Sequence, residues 1–135
     1  MKCVLVIDAQ LPLGLIANTA AVLAMSVAST VEDIIGADVC DGDGGLHRGI
    51  TRLPIPLLRG DADSIRALRY RLQQPENETL YWVDFCDVAQ KATRYDRYRR
   101  QLADTAERDL TYLGIALCGP DKPVNRLTGS LPLLR

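Results

Sequence analysis

The sequence has no closely spaced pairs of cysteine or histidine. Its single histidine is His47, and its four cysteines stand far apart, at positions 3, 40, 86 and 118. Zinc sites draw their ligands from such pairs, so the sequence predicts neither a metal site nor another bound cofactor. Three of the cysteines lie in apolar runs, which predicts buried, reduced thiols. These three are Cys3, Cys40 and Cys118.

The sequence also lacks an uninterrupted apolar segment long enough for export or for spanning a membrane. Asp8 interrupts the first apolar run, and Pro12 and Gly14 follow it. A secretory signal needs about 7–15 continuous apolar residues. The strongly apolar stretch 13–28 has only 16 residues, which is short for a bilayer. We therefore expect a cytoplasmic location.

The chain has little excess charge, with a formal net charge of −1. Global electrostatics therefore does not draw the protein toward nucleic acid or an anionic membrane. Its 135 residues, 47% of them hydrophobic, are enough for a single domain over residues 1–135. We expect that domain to have one continuous hydrophobic core.

Short apolar runs alternate with longer helical patterns along the chain. Runs rich in β-branched residues predict strands, and apolar residues three or four apart predict helices. Strands are predicted at 3–8, 37–40, 46–51, 53–58, 80–85 and 111–118, and helices at 15–28, 61–74 and 88–103, with a helical turn at 124–127. This order predicts an α/β fold with three α/β/α layers and a mixed sheet of about four or five strands. Because the first helix is apolar nearly all round, we expect it to be mostly buried.

The strongest turn signal is the glycine-rich segment 41–45, with the sequence DGDGG. It has neither the spacing nor the lysine of a phosphate-binding P-loop. It also lacks the twelve-residue pattern of an EF-hand calcium loop. The segment therefore predicts a hairpin turn, with His47 at the surface beside it.

Two carboxylates, Asp8 and Asp84, lie at the ends of apolar strands. In open α/β sheets, ligands bind outside the carboxyl ends of the strands. Carboxylates there can transfer protons, hold a cation or bind ribose hydroxyls. They can also simply cap the loop that follows, and the sequence leaves both interpretations open.

The helix around residues 91–100 carries five cations and one anion, with tyrosines between the arginines. This combination suits phosphate contacts and base stacking, so Arg94, Arg97 and Arg100 are candidate contacts for tRNA. It equally suits a solvated helix whose tyrosines pack inward, or a subunit interface.

The C-terminal segment groups polar side chains just before a final apolar run. Asn125, Arg126 and Thr128 can line a pocket or cap backbone groups. No nucleophile motif of the GxSxG or SxxK type, and no cysteine–histidine dyad, occurs in the chain.

The two ends of the chain resemble a known family. The start, KCVLVID followed by LPLGLIANTAAVL, and the end, GPDKPVNRLTGSLPLLR, are similar to those of the bacterial domain-of-unknown-function 2000 (DUF2000) family. The resemblance covers essentially the whole chain, and the ending NRLTGSLPLL is its most specific part.

That family in turn resembles peptidyl-tRNA hydrolase II in layout. Asp84 falls where the hydrolase has the aspartate of a D-A-G-x-T-Q loop, and Thr128 and Gly129 match its T-G-H-L ending. The turn around Gly14 lacks the lysines of the hydrolase, and a helix replaces the loop after the aspartate. The resemblance implies a peptidyl-tRNA hydrolase II-like fold and a homodimer.

Three functional classes follow from these observations. The first is a small-molecule or nucleotide binding domain, with ligand candidates Asp8, Asp84, Asn125, Arg126 and Thr128. The second is a hydrolase of an ester such as peptidyl-tRNA, with Asp84 in the active site and the arginine-rich helix holding phosphates. The third is a purely structural protein that binds a partner through a wide apolar surface.

Overall fold

The computed structural model describes residues 1–135, and its elements follow the expected order. The chain forms six strands and five helices, with two short 3₁₀ turns at Pro75–Asn77 and Glu107–Asp109. The elements are β1 (Lys2–Asp8), α1 (Leu13–Thr30), β2 (Val39–Cys40), β3 (Leu46–His47), β4 (Leu57–Gly60), α2 (Ala62–Leu72), β5 (Tyr81–Cys86), α3 (Asp87–Lys91), α4 (Tyr95–Ala103), β6 (Tyr112–Gly119) and α5 (Asp121–Thr128).

Four strands form one mixed sheet in the order β4-β1-β6-β5. Strand β1 runs parallel to β4, while β6 is antiparallel to both β1 and β5. The C-terminal segment covers the β4 edge through a bridge between Leu58 and Leu133. Strand β5 is left as the opposite edge. The prediction of an α/β fold with a mixed sheet is confirmed.

The sheet divides the interior into two cores, so the expectation of one continuous core was wrong. Alternate residues of a strand point to opposite faces, and both faces of β1 are covered. Leu5 and Ile7 pack with α1 on one face, whereas Val4 and Val6 pack with α2 and α5 on the other. The continuous apolar run of β1 is therefore explained by burial on both faces.

Helix α1 forms as predicted, but it is much less buried than its composition suggested. Only Thr19, Leu23 and Val27 are buried, one residue per turn along a narrow stripe. By length and composition alone the helix would also be able to span a membrane. The buried stripe instead packs on the sheet, as in a layer helix, and it leaves apolar side chains such as Met25 exposed.

Helix α2 confirms the sequence pattern closely. Asp61 caps its start, accepting a hydrogen bond from the backbone N–H of Ser64, whose hydroxyl oxygen in turn accepts one from the Asp61 backbone N–H. This reciprocal pair satisfies two amides at the helix start. Ile65, Leu68 and Leu72 form the buried face, as the spacing predicted.

The helix predicted over 88–103 is broken, which corrects that expectation. Extended backbone at Ala92 and Arg94 separates α3 from α4. No proline or glycine marks the break, so no local signal was available to predict it. The break changes the direction of the chain while Val88 and Leu102 both still pack against the core on the α2 side. Tertiary packing thus overrides helix propensity here.

The cysteines also differ from expectation at one position. Cys3, Cys86 and Cys118 are buried, but Cys40 is exposed. Cys40 lies in the two-residue strand β2, which pairs only with β3 in a separate hairpin and not with the main sheet. Burial, with a smaller contribution from Cys118, raises the pKa of Cys3 to about 12, so this thiol stays protonated at neutral pH.

Candidate functional site

Asp84 lies on β5 with its carboxylate held by an arginine. It stands opposite Ile115 of β6, and opposite residues project from the same face of a sheet. That face is the one covered by α2, from which Arg69 donates a 2.8 Å hydrogen bond from Nε to Oδ2 of Asp84. Both side chains are about three-quarters buried, with 22% and 25% of their surfaces exposed. The pair is therefore fixed by packing as well as by charge.

Aromatic rings hold the guanidinium of Arg69 in place. It lies 5.5 Å from the ring centroid of Trp82 and 5.1 Å from that of Tyr112. Burial alone would lower the pKa of Arg69, but the hydrogen bond and charge of Asp84 outweigh it and raise that pKa. Arg69 therefore stays a fixed cation beside the carboxylate.

Glu107 completes this charged cluster. It accepts a 3.0 Å hydrogen bond from the Tyr112 hydroxyl and a 2.6 Å hydrogen bond from Arg66. Burial, together with the bond to Glu107, raises the pKa of Tyr112 to about 12. These groups satisfy one another, and Glu107 lies 4.0 Å from Arg69, so the cluster supports Arg69 and through it Asp84.

A groove of about 370 Å³ runs along the free edge of β5, and Asp84 forms part of its wall. Seven of its eleven lining residues are apolar or aromatic, among them Val22 of α1, Phe85 and Tyr98 of α4. The side chain of Asp84 accepts its hydrogen bond from Arg69 through Oδ2, which leaves Oδ1 without a protein partner. Burial raises the pKa of the Tyr98 phenol, and the neighbouring Cys86 and Asp84 raise it further. The groove thus offers an incoming molecule an apolar surface and a neutral phenol, with Asp84 at the strand edge.

The rim of this groove combines aromatic and cationic groups. The rings of Tyr95 and Tyr98 meet edge to face at 5.5 Å between centroids. Arg94 also lines the groove, and its only ion pair is an exposed one with Asp96 at 3.3 Å. Exposed pairs of this kind are weak, so Arg94 is available to an anion.

The structure does not bring Asp8 and Asn125 together. Asp8 accepts a hydrogen bond from the backbone of Gln10, which makes it a loop cap. Asn125 accepts a hydrogen bond from Lys2. Because Lys2 and Asp8 are the two ends of β1, they lie about 20 Å apart. A common pocket of Asp8, Asp84 and Asn125 is therefore not formed.

The remaining candidates in α5 have structural partners. Arg126 donates a 2.7 Å hydrogen bond to the side chain of Asn77, and the Thr128 hydroxyl donates to the backbone oxygen of Val124. These bonds tie the C-terminal helix to the loop after α2 and to itself. In the hairpin, His47 pairs with Asp41 at 2.8 Å. No group of three or more histidine, cysteine or acidic side chains is close enough to hold a metal ion.

Two larger concavities lie on the surface, at about 710 Å³ and 460 Å³. The first follows the exposed face of α2 and the second lies between α3 and α4. Both are lined mainly by polar side chains, and those of Arg66, Arg69 and Glu107 in the first belong to the charged cluster described above. Ligand sites are usually apolar with a few fixed polar groups, and the groove at β5 matches that description better.

Sequence reasoning identified Asp84 and the tyrosines but missed Arg69. One signal for it was present, because Arg69 occupies a core position in the apolar spacing of α2, four residues after Ile65 and three before Leu72. A charged residue at such a position must find a partner. Its partner lies on a strand fifteen residues away, which helical spacing cannot show.

The fold and the groove define a mixed α/β domain with a partly apolar groove at a sheet edge. The profile of DUF2000, a family of proteins of unknown function, matches residues 1–135, and the chain belongs to this family. A solved protein of unknown function from Agrobacterium tumefaciens strain C58 has a similar fold, with a TM-score of 0.85. The two are 18% identical, and the match covers 98% of this chain and 96% of the other. No curated protein matches the chain.

Proposed function

We propose that this protein binds a small nucleotide-like ligand in the groove at the β5 edge. One observation supports the proposal above the others. Asp84 is held at the wall of a partly apolar groove by Arg69, with one carboxylate oxygen unpaired and Tyr98 beside it. Fixed polar groups in an apolar recess are typical of ligand sites.

Each part of the groove suits one part of a nucleotide. The free oxygen of Asp84 can accept hydrogen bonds from ribose hydroxyls or from an exocyclic amine. The Tyr95 and Tyr98 rings offer a surface on which a base can stack. Arg94 can hold a phosphate. A volume of about 370 Å³ lies at the small end of the range for ligand pockets, which favours a mononucleotide over a larger cofactor.

The binding prediction is tested by calorimetric titration of the full chain with AMP, GMP and adenosine at low salt. We expect a mononucleotide to bind, and Asp84→Asn to weaken binding by about tenfold or more, because hydrogen bonds to a charged group contribute about 1.5–3 kcal/mol. Adenosine should bind more weakly than AMP if Arg94 holds the phosphate.

Asp63→Asn is the matched control, because Asp63 is exposed on α2 and lines the larger concavity. It should leave nucleotide binding unchanged. No binding of any of the three probes at millimolar concentration would overturn the proposal. If Asp63→Asn abolished nucleotide binding and Asp84→Asn did not, the binding site would lie on the α2 face instead.

A second candidate function is hydrolysis of an ester such as that of peptidyl-tRNA, on a peptidyl-tRNA hydrolase II-like fold. The resemblance of the chain ends to that hydrolase supports it, as does the position of the cationic helix. Three exposed arginines lie at the start of α4 and along it, beside the groove that Asp84 lines. They are Arg94, Arg97 and Arg100. In this function the free oxygen of Asp84 orients or activates water, and the arginines hold phosphates.

The hydrolase prediction is tested with N-blocked aminoacyl-tRNA. We expect hydrolysis by the parent protein and a loss of about a hundredfold or more in Asp84→Ala, the usual range for removing a proton-transferring group. Binding of tRNA should weaken steeply with salt, because phosphate contacts release counterions. If the protein neither hydrolyses this substrate nor binds tRNA at low salt, the hydrolase function is excluded. That result would leave nucleotide binding open.

A further inference from the structure

The hairpin of β2 and β3 projects from the domain with almost nothing packed on it. Every residue from 37 to 48 is exposed. At its base the two arms are joined by a bridge between Ile35 and Thr51, and the neighbouring Ile34 is buried in the core on the α1 side. An isolated two-stranded hairpin is marginally stable in water, so a projecting ribbon of this kind calls for a partner surface.

The polar side chains of the hairpin are used internally. Asp41 accepts hydrogen bonds from the backbone N–H groups of Asp43 and Gly45 and pairs with His47. Asp38 accepts from the backbone of Gly49 and pairs with Arg48. These bonds stabilise the hairpin conformation before any partner binds. They also leave few unpaired charges that would select a strongly charged partner.

The apolar side chains of the hairpin point outward instead. Val39 and Leu46 are each more than half exposed, and Ile50 is 77% exposed. Val39 stands opposite His47 and Cys40 opposite Leu46, so Val39 and Leu46 lie on opposite faces of the ribbon. Neither face is covered by the rest of the chain.

A complementary apolar recess lies at the base of the same hairpin. It has a volume of about 280 Å³, and eight of its nine lining residues are apolar. Ile35 and Thr51, which form the base of the hairpin, line it together with Met25 of α1. Met25 is 75% exposed. One surface of the molecule thus carries both an apolar projection and an apolar recess.

We propose that this surface pairs with a second copy of the chain, with the hairpin of each copy covering the recess of the other. A two-fold dimer joins the same surface on both subunits, and a surface with a projection beside a recess is complementary to itself. The five large apolar residues exposed on this surface offer on the order of 500 Å² on each copy, so two copies come to roughly 1,000 Å², the lower threshold for a specific interface. These five are Met25, Ile35, Val39, Leu46 and Ile50.

The test is the mass of the full chain in solution, measured by sedimentation velocity from low to high micromolar concentration. We expect a dimer for the parent protein. In the double variant Leu46→Asp, Ile50→Asp, the dissociation constant should rise by about a hundredfold or more, because unpaired carboxylates would be desolvated in the contact. Both side chains are exposed, so the variant should fold, which circular dichroism checks.

Tyr70→Asp is the matched control, because Tyr70 is 67% exposed on α2, away from the hairpin. It should leave the dimer intact. Cys40 gives an independent measurement without substitution, since it is the one exposed thiol and shares a ribbon face with Leu46. Its labelling by a maleimide should slow as the protein concentration rises.

Three results would each overturn the proposal. They are a monomeric parent at every concentration, a dimer that the double variant leaves unchanged, and a Cys40 labelling rate independent of concentration. None of them bears on ligand binding in the β5 groove, because none of the five apolar residues of the proposed contact lines that groove.

Discussion

Replacing Gly114 by alanine is expected to destabilise the protein by about 1–3 kcal/mol, the usual effect of forcing an extra carbon into a packed core. Gly114 is the third residue of β6, under α1. A Cβ atom there would lie 2.6 Å from Cγ2 of Thr19 and 3.1 Å from Leu23, both of which are fully buried. Thr19 cannot easily turn away, because its hydroxyl donates to the backbone oxygen of Leu15 and its side chain is β-branched. Chemical denaturation followed by the single tryptophan, Trp82, measures the effect.

A double-mutant cycle isolates the cause. Thr19→Ser removes the methyl group that Gly114→Ala would clash with and keeps the hydroxyl. We therefore expect Gly114→Ala to cost clearly less in the Thr19→Ser background than in the parent. Equal costs in both backgrounds would show that the contact between α1 and β6 is not the reason.

Gly14→Ala is the control for the loss of glycine itself. Gly14 is in the first turn of α1 and a Cβ there would meet nothing within 4 Å. Alanine should stabilise the protein by about 0.5–1 kcal/mol at that position, because glycine is unfavourable in a helix. The opposite signs at Gly14 and Gly114 would separate the backbone effect from the steric one.

Arg69→Ala is expected to destabilise the protein by about 2–3 kcal/mol. Removing one partner of a fully buried ion pair costs about 3–5 kcal/mol, and the partial exposure of this pair reduces the value. The substitution leaves the carboxylate of Asp84 without its hydrogen bond. It also removes the cation that stacks on Trp82 and Tyr112. The free energy of unfolding in denaturant measures the loss.

The effect of losing the ion pair between Arg69 and Asp84 can be separated from the effect of shortening the Arg69 side chain. Adding Asp84→Asn to Arg69→Ala removes the orphaned charge, so the double variant should be more stable than the sum of the single effects. Arg71→Ala, an exposed position on the same helix, should change stability by less than about 0.5 kcal/mol. Additive effects of Arg69→Ala and Asp84→Asn would mean that the two side chains do not support one another.

Arg69→Ala also connects stability to the proposed site. If Arg69 positions Asp84 in the groove, the variant should lose nucleotide affinity even where it remains folded. Unchanged affinity would leave Arg69 with a role in stability alone.

The candidate site could be predicted only in part. Asp84 is identifiable because it lies near the end of an apolar strand, and the tyrosines because they interleave with arginines. The supporting cluster was not predictable in the same way, since Arg69, Trp82 and Glu107 come from three separate segments. The sequence also could not show that Asp8 and Asn125 lie apart, because polar residues at element ends look alike in sequence, whereas Asn125 bonds to Lys2 at the far end of β1 from Asp8.

Local patterns determined the elements of this protein. The β-branched run of β1, the cap at Asp61 and the DGDGG turn each act within a few residues, so the chain itself specifies them. Tertiary structure decided which faces these elements bury. The sheet divided the core in two, α1 kept most of its apolar surface exposed, and α3 and α4 separated without a local break signal. The physical reason is that burial depends on contacts between residues distant in sequence, which neither periodicity nor propensity records.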